Sequence, residues 1–455
     1  MTMRTAEIWI GLRALRVSAV PLLVMIATAV HGAEGSAMFR GNAAHRANYD
    51  APPIEDLPRV KWKTPLAGEV FSSPIVADGV AYIGSNHNRF YAIEVETGKI
   101  RWALETLGGV NSSPAVADGV VYFGDFSGRF TALDAKTGRL KWVHRVHGER
   151  LFGAYGYSWA KRRKKYYADY CDMFLSSPTI VGDLVYYASG NGAVFALDRE
   201  TGERKWNFAT DDVIHTAPAV ADGRLFVGGW DSYFYCLDAA TGELLWKRKT
   251  GDDPEFHNAV GVLSAPVVEG DTVYFGCRDA YLYALDVAKG TVRWKKQHGS
   301  SWVIASPVIV GDLICYQTSA SLQFLAVDKR TGETRYELKN RSWAFSSPVA
   351  AGHMVYYGTF AGDLNAFDTR TGKLRWVWQT DAARANARGY LDRFGVFDLN
   401  ATAFADWDPE NMIDHLEKMY SVGGIVGTPL PHEEMILVPT ADGFLYALAP
   451  ADAAP

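Results

Sequence analysis

Cysteine is scarce in this sequence, and its spacing excludes several kinds of site. The 455 residues include 4 cysteines, Cys171, Cys236, Cys277 and Cys315. No two are adjacent and no Cys-x-x-Cys-His occurs, which excludes covalent haem attachment. An even count would permit disulfides in an exported protein. The repeats described below put the last three in different units, which favours unpaired, partly buried thiols.

The sequence also lacks an excess of positive charge and a long apolar run. With 46 basic and 51 acidic residues the net charge is −5, so nothing favours nucleic acid as a partner. The apolar stretch 17–30 is shorter than the ~20 residues of a membrane-spanning helix. Because Arg4, Arg13 and Arg16 precede it and Ala33 follows, it is typical of a secretory signal. An uncleaved membrane anchor is the alternative. No cysteine lies near the N-terminus, which excludes a lipid-attached end.

An aromatic-ended segment recurs through the chain, and its clearest copy is Ala132–Trp142 (ALDAKTGRLKW). Each copy has a short apolar strand, an acidic residue, a Thr-Gly turn and a second strand. The glycine supplies the positive φ that the turn needs. The terminal aromatics, expected to dock one sheet on the next, are Trp62, Trp102, Trp142, Trp206, Trp246, Trp294, Tyr336 and Trp376. Tyr336 is the exception, so its unit, the sixth, is predicted to be the weakest-packed.

A second signature, Ser-Ser-Pro or a close variant, marks the first strand of each unit, from Ser72-Ser73-Pro74 to Gly427-Thr428-Pro429. Four short strands per repeat are typical of a β-propeller blade. The segment Arg59–Lys63 lacks its beginning and the last unit lacks its end. The sequence therefore predicts an all-β, eight-bladed β-propeller whose N-terminal strand closes the last blade. The predicted layout is a signal peptide at 1–33, an arm at 34–57, the propeller at 58–450 and a tail at 451–455.

Two long insertions, 143–173 and 379–424, interrupt the repeat spacing. Both fall between the last strand of one blade and the first strand of the next, so they are predicted to emerge on one face, beside the loops between the second and third strands. The second contains a helix over 409–420, because an acidic residue and Pro409 open a run with helical spacing. That helix is either a lid or docking element, or a plug for the channel mouth. The first insertion carries the basic run 161–165, either a solvated loop or a contact for an acidic partner.

The repeat pattern Ala-x-Asp-x-x-Thr-Gly-x-x-x-Trp resembles that of the pyrroloquinoline quinone (PQQ) family of eight-bladed propellers. It is clear at Ala132–Trp142, Ala196–Trp206 and Ala366–Trp376. The family contains quinoprotein dehydrogenases, which use PQQ and Ca²⁺, and non-catalytic members of the BamB type. Catalytic members carry an adjacent cysteine pair, absent here, and no local motif maps onto their Ca²⁺ ligands. Trp230 is the one counterpart of a cofactor-stacking tryptophan, with a surface or interface aromatic as the alternative.

The resemblance implies a binding or scaffold protein rather than an enzyme. We predict an exported periplasmic protein, favoured to be a monomer, with no integral membrane segment after signal removal, no cofactor, and envelope proteins as partners. The alternatives are a PQQ- and Ca²⁺-dependent dehydrogenase acting on an alcohol or sugar, and a binder of another small molecule at the channel mouth. No catalytic or metal-ligating residue is predicted. The candidate partner contacts are His87, Asp125, Trp230, Arg278, Asp442, Arg162, Arg163, Met412 and Leu416.

Overall fold

The strands form eight antiparallel sheets arranged around a central channel. The computed structural model describes residues 37–154, 167–169, 171–252, 260–398 and 409–451. Each blade contains four strands, called a to d in the order in which they lie across the blade, and the sheet of blade 7 has a fifth strand from the N-terminal arm. The a strands of neighbouring blades contact one another, so they line the channel. The predicted eight-bladed propeller is confirmed.

The strand bounds follow the repeat, with three-residue a strands and longer b, c and d strands. Blades 1 to 4 consist of Ile75–Ala77, Val80–Ser85, Arg89–Glu94 and Ile100–Glu105; Ala115–Ala117, Val120–Asp125, Arg129–Asp134 and Leu140–Arg145; Thr179–Val181, Leu184–Ser189, Ala193–Asp198 and Arg204–Ala209; and Ala219–Ala221, Arg224–Gly228, Tyr233–Asp238 and Leu244–Lys249. Blades 5 to 8 consist of Val267–Glu269, Thr272–Gly276, Tyr281–Asp286 and Val292–Gln297; Val308–Val310, Leu313–Gln317, Gln323–Asp328 and Thr334–Lys339; Val349–Ala351, Met354–Gly358, Asp363–Asp368 and Lys373–Gln379; and Leu430–His432, Met435–Thr440, Phe444–Ala449 and Arg59–Pro65.

The two ends of the propeller close the ring in one sheet. Arg59–Pro65 pairs antiparallel with Phe444–Ala449, and Trp62 lies opposite Ala447. The hydrogen bond from the Thr428 amide to Ser73 Oγ, 2.9 Å long, joins blades 8 and 1 at the channel. The predicted closure of the last blade by the N-terminal strand is therefore confirmed.

In every blade except blade 7, the d-strand aromatic residue docks on the glycine of the c–d turn of the following blade. Trp142 Nε1, for example, donates to the Arg199 carbonyl at 3.1 Å. Gly202 has φ +74°, which favours glycine, and a Cβ there would lie 2.6 Å from the Trp142 ring. Glycine is therefore required both by the backbone conformation and by the close approach of the ring. Blade 7 has no such turn to meet, because strands c and d of blade 8 come from opposite ends of the chain. The carbonyl of Ile54 accepts from Trp376 Nε1 instead, at 3.1 Å.

The Ser-Ser-Pro signature joins the inner strands to one another. Ser72 Oγ donates to the Ser112 carbonyl of the next blade at 2.9 Å. The Ser113 amide donates to Ser177 Oγ, also at 2.9 Å. Small hydroxyl residues at the start of strand a thus satisfy backbone groups that would otherwise face the narrow channel unpaired.

The N-terminal arm closes the channel mouth on the side of the a–b turns. Its residues bond to strands a of several blades: Ala37 bridges Val116 of blade 2, and the Ala44 carbonyl accepts from Val268 of blade 5. The strand Asn48–Tyr49 then adds parallel to strand a of blade 7. Arg40 is fully buried and donates to the carbonyls of His45 and Pro307. The described part of the arm therefore acts as a plug at this mouth of the channel.

The remaining regular structure lies in the two insertions. In the first, Gly153–Ala154 pairs antiparallel with Tyr167–Ala168. In the second lie the helices α1, Asp381–Ala385, and α2, Pro409–Ser421. Helix α2 matches the segment predicted to be helical. No helix among the described residues is long and apolar enough to cross a membrane.

Candidate functional site: the insertion-bearing mouth of the channel

The two insertions meet over the channel mouth opposite the N-terminal arm. We call their described parts, residues 146–154, 167–169, 171–175, 381–398 and 409–426, the cap. Helix α2 packs down on the mouth, with Leu416 and Met419 buried. The Tyr420 ring lies 5.0 Å from that of Phe71, and its hydroxyl lies 3.8 Å from Met173 Sδ of the first insertion. The helix therefore occupies the mouth as the plug interpretation describes.

A buried histidine between two carboxylates holds the first insertion to blade 4. His215 directly precedes Thr216-Ala217-Pro218, the Ser-Ser-Pro-like signature that opens strand a of blade 4 and that we call an inner-strand signature in each blade. Its Nδ1 lies 2.8 Å from Asp172 Oδ1 and its Nε2 lies 3.0 Å from Glu149 Oε1. Burial disfavours the charged imidazolium, but Asp172 and Glu149 outweigh it and raise the pKa of His215 to about 10. At neutral pH the group is therefore an imidazolium shared by two carboxylates.

The same two carboxylates also accept hydrogen bonds from the backbone. The Phe152 amide donates to Asp172 Oδ2 at 2.6 Å, and the Gly190 amide donates to Glu149 Oε1 at 2.8 Å. Trp230 Nε1 donates to Asp172 Oδ1 at 3.1 Å. Bonds from neutral donors to ionised acceptors are stronger than those between neutral groups. The first insertion is thus fixed to blades 3 and 4 both by electrostatic attraction and by directional hydrogen bonds.

A second buried ion pair fixes the insertion to blade 5. Arg278 donates to Asp169 at 2.8 Å, and both side chains are fully buried. The guanidinium carbon lies 3.6 Å from the Trp302 ring centre and 4.7 Å from that of Trp230. Burial raises the pKa of Asp169, and the charge of Arg278 opposes this. Two aromatic faces and one carboxylate therefore compensate the desolvated cation.

The surroundings of Trp230 do not fit the role of a stacking surface for a quinone cofactor. The Phe152 ring stacks on it at 4.0 Å with an interplanar angle of 3°. Since Phe152 covers one face, the Arg278 guanidinium at 4.7 Å must lie over the other. Among the described residues, no group of three or more His, Cys, Asp and Glu side chains is placed to hold a metal ion. The arrangement leaves Trp230 no free face.

The channel itself is too small for a cofactor-sized molecule. Its cavity has a volume of about 50 Å³, between Phe39 of the arm and Phe174 of the first insertion. Ligand pockets usually measure ~300–1,000 Å³. The eight inner-strand signatures line this space, and serine hydroxyls make parts of it polar. It offers room for a little water but not for an organic ligand.

The predicted partner contacts are split between the surface and the interior. His87 is exposed and Asp442 is half-buried. Asp125, Trp230 and Arg278 are buried. These three side chains are not accessible to a partner in this structure, so as contacts they stay predictions. Among the rest, Leu416 is buried in the cap, whereas Arg162, Arg163 and the side chain of Met412 lie outside the described residues.

Sequence reasoning missed the groups that hold the cap, although one signal was present. The residue before each inner-strand signature forms a layer at the channel mouth, and six of the eight are apolar. The layer consists of Phe71, Asn111, Leu175, His215, Leu263, Ile304, Phe345 and Val426. Asn111 Nδ2 donates to the Met173 carbonyl at 2.7 Å, and His215 binds Asp172 and Glu149. The two polar members are thus the two that hold the first insertion.

The four cysteines are all buried and unpaired. Burial raises the pKa of each thiol, which keeps all four protonated at neutral pH. They serve as small apolar side chains in the core.

Comparison with known proteins gives one family match and many structural matches. The family model described as outer membrane protein assembly factor BamB matches residues 49–170 and 159–376. No curated protein sequence matches the chain. The structure of BamB from Moraxella catarrhalis has a TM-score of 0.63 at 16% identity, covering 86% of this chain and 100% of that one.

Two enzymes are structurally similar to the same extent. Quinohemoprotein alcohol dehydrogenase from Comamonas testosteroni gives a TM-score of 0.66 at 14% identity, covering 92% of this chain and 81% of that one. A europium-containing methanol dehydrogenase gives 0.66 at 14% identity, covering 91% and 98%. At such identities the likeness shows the fold alone. The family model, in contrast, matches most of the chain, and on that ground the chain belongs to the family described as outer membrane protein assembly factor BamB.

Proposed function

We propose that this protein is an exported propeller that acts as a binding or scaffold protein in the cell envelope, and that its insertion-bearing face contacts another envelope protein. The observation that carries the proposal is the construction of the cap. Its first insertion is held by two buried ion pairings, and its helix α2 is held by apolar packing. A loop surface fixed in this way is pre-organised, which lowers the entropic cost of recognition.

The family supports the same reading, since its description names an outer membrane protein assembly factor. The signal-like segment 1–33 accords with export to the periplasm. Phe394 offers a suitable contact, because it is 64% exposed in the second insertion, on a turn fixed by the Asp392 carboxylate. Exposed aromatic residues on rigid supports are common centres of binding energy.

The test places a photo-reactive phenylalanine analogue at Phe394 and, as a matched control, at Leu140. The two side chains are 64% and 62% exposed, but Leu140 lies at the start of an outer strand, away from the cap. In envelope extract we expect a defined protein adduct from position 394 and none from position 140. No adduct from 394, or the same adduct from both, would contradict the proposal.

The competing function is a PQQ- and Ca²⁺-dependent dehydrogenase. The structural likeness to quinohemoprotein alcohol dehydrogenase is the observation in its favour. PQQ is a tricarboxylic acid, and Glu69 and the cap residue Glu417 line a groove beside the cap. Like charges disfavour its approach there. Titration of the purified protein with PQQ and Ca²⁺, followed by quinone absorbance and dye reduction, decides between the two. A tight, Ca²⁺-dependent complex would favour the enzyme.

A further inference from the structure

A groove lies between the two insertions, beside blades 1 and 2. Its volume is about 260 Å³. The apolar part of its wall consists of Phe71, Phe126, Leu151, Met173, Leu416 and Tyr420. This is smaller than the usual ~300–1,000 Å³ of a cofactor or drug-sized pocket. The groove therefore suits one long side chain better than a whole organic molecule.

The charge of this groove is negative. Asp169 and Asp172 lie at its wall, but Arg278 and His215 neutralise them. Glu69 and Glu417 line the same groove, and among the described residues neither has a lysine or arginine within ion-pair distance. The nearest basic group is the imidazole of His87, whose Nε2 lies 3.8 Å from Glu69 Oε2.

Both carboxylates act on the hydroxyl of Tyr420. Burial is the main cause that raises the pKa of this hydroxyl, and the negative charges of Glu69 and Glu417 raise it further. Tyr420 is the aromatic residue at which helix α2 meets the first insertion. The two carboxylates thus come from different elements, the connection between blades 8 and 1 and helix α2, and converge on the groove.

Asn111 supplies an independent sign of a missing ligand. It is 3% exposed, and its Nδ2 donates to the Met173 carbonyl at 2.7 Å and to Asn86 Oδ1 at 3.3 Å. Its Oδ1 has no hydrogen-bond partner among the described residues, although the side chain lines the groove. A buried amide oxygen left without a donor costs about 1–3 kcal/mol. An N–H group entering the groove would satisfy it.

We propose that this groove between the insertions binds a single arginine or lysine side chain presented by an extended segment of a partner protein. This inference rests on the proposed function, because the partner is the one that contacts the insertion-bearing face. The apolar wall takes the methylene stem of the side chain. The aromatic faces and the two carboxylates take its charged end, and Asn111 Oδ1 accepts one of its N–H groups. Arginine fits best, since its planar group presents five donors.

The test uses calorimetry with the full mature chain and three short peptides, acetyl-Ala-Leu-X-Leu-Ala-amide, where X is arginine, lysine or citrulline. Citrulline keeps the shape of arginine and removes the charge. We expect the arginine peptide to bind at least about tenfold more tightly than the citrulline peptide. Glu69→Gln and Glu417→Gln should each weaken it about three- to tenfold, since both carboxylates are partly solvated. Glu203→Gln, an exposed carboxylate on a c–d turn, should leave binding unchanged.

Three results would overturn the proposal. The arginine and citrulline peptides could bind equally, or the two glutamine variants could bind like wild type. Binding could also arise only after serine replaces the basic run 161–165, which would assign the groove to the chain's own segment. To separate this from the proposed function, the photo-crosslink from position 394 is repeated in the Glu69→Gln, Glu417→Gln double variant. Loss of the adduct from position 394 would support the groove as the contact. An adduct retained in full would count against the groove and leave the proposed function standing.

Discussion

Replacement of His215 by glutamine is expected to release the first insertion from the propeller. The imidazolium compensates two carboxylates, and the Asp172 and Glu149 side chains are 1% and 8% exposed. Glutamine can still donate a hydrogen bond but carries no charge. Leaving buried charge uncompensated in this way costs ~3–5 kcal/mol. Because an insertion can open while the blades stay folded, we expect the loss as local opening rather than as global unfolding.

Hydrogen exchange at the two amides that bind these carboxylates measures this opening directly. The Phe152 and Gly190 amides should exchange about a hundredfold to several thousandfold faster in His215→Gln, which is ~3–5 kcal/mol expressed as a rate. His298→Gln is the matched control. His298 is also buried, but burial and the nearby Lys296 lower its pKa to about 4, so its ring is neutral, and within the part of the chain that the structure describes the ring bonds to the Tyr316 hydroxyl alone. Unchanged exchange at Phe152 and Gly190 in His215→Gln would refute the reasoning.

The same histidine predicts the effect of pH on the cap. Its folded-state pKa of about 10 lies above the ordinary value of 6.5. The stabilisation is therefore fully present below pH 6.5 and is lost progressively as the pH rises through 10. We expect the opening free energy of the first insertion to fall by up to about 1.4 kcal/mol per pH unit in that window. The triple variant Glu149→Gln, Asp172→Asn, His215→Gln should show no such slope, after correction for base-catalysed exchange.

Three further predictions concern the scaffold. Gly202→Ala should cost about 3 kcal/mol in urea denaturation and Gly223→Ala about 1, because both glycines have φ above +70° but only the Gly202 Cβ would strike the Trp142 ring; equal losses would contradict this. Burial raises the pKa of Asp363 to about 6, above the ordinary 3.8, so the wild type should lose ~2.4 kcal/mol relative to Asp363→Asn between pH 4 and pH 7. A difference that is the same at both pH values would show that the carboxyl is not perturbed. Blade 6, docked by Tyr336 in place of tryptophan, should exchange its amides faster than blades 5 and 7, and Tyr336→Trp should slow it; equal protection in the wild type would count against the weaker docking.

The fold could be predicted because each repeat contains the residues that form its own turn and its docking contact with the next blade. The turn glycine and the preceding blade's aromatic residue lie 36 residues apart in four of the seven pairs, so Trp102 and Gly138 identify one another from the repeat spacing alone. Ring closure followed from the half-repeats at the two ends, and the pairing of Arg59–Pro65 with Phe444–Ala449 confirms it. The exception was the Ile54 carbonyl, which replaces a turn that blade 8 lacks. No repeat specifies that contact.

Helix α2 was predicted from its helical spacing, but the contacts that hold the cap could not be predicted, because they are long-range and do not follow the repeat. Arg278 and Asp169 are 109 residues apart, and His215 and Glu149 are 66 apart. Their pairing depends on how an irregular insertion folds back over the ring. The chemical signal was nevertheless readable in aligned repeats, since His215 and Asn111 interrupt an otherwise apolar layer. Such an interruption shows that something polar covers that position, and only the structure shows what it is.

The two halves of the cap are held by different forces, and so they respond to different conditions. The first insertion depends on the charges of His215 and Arg278, whereas helix α2 depends mainly on buried Leu416, Met419 and their apolar neighbours. Apolar burial weakens on cooling and does not depend on the protonation of a histidine. Alkaline pH should therefore open the first insertion while α2 stays docked. The groove lies between the two, so its first-insertion wall should loosen before its helical wall, and affinity for a basic side chain should fall with rising pH before any blade unfolds.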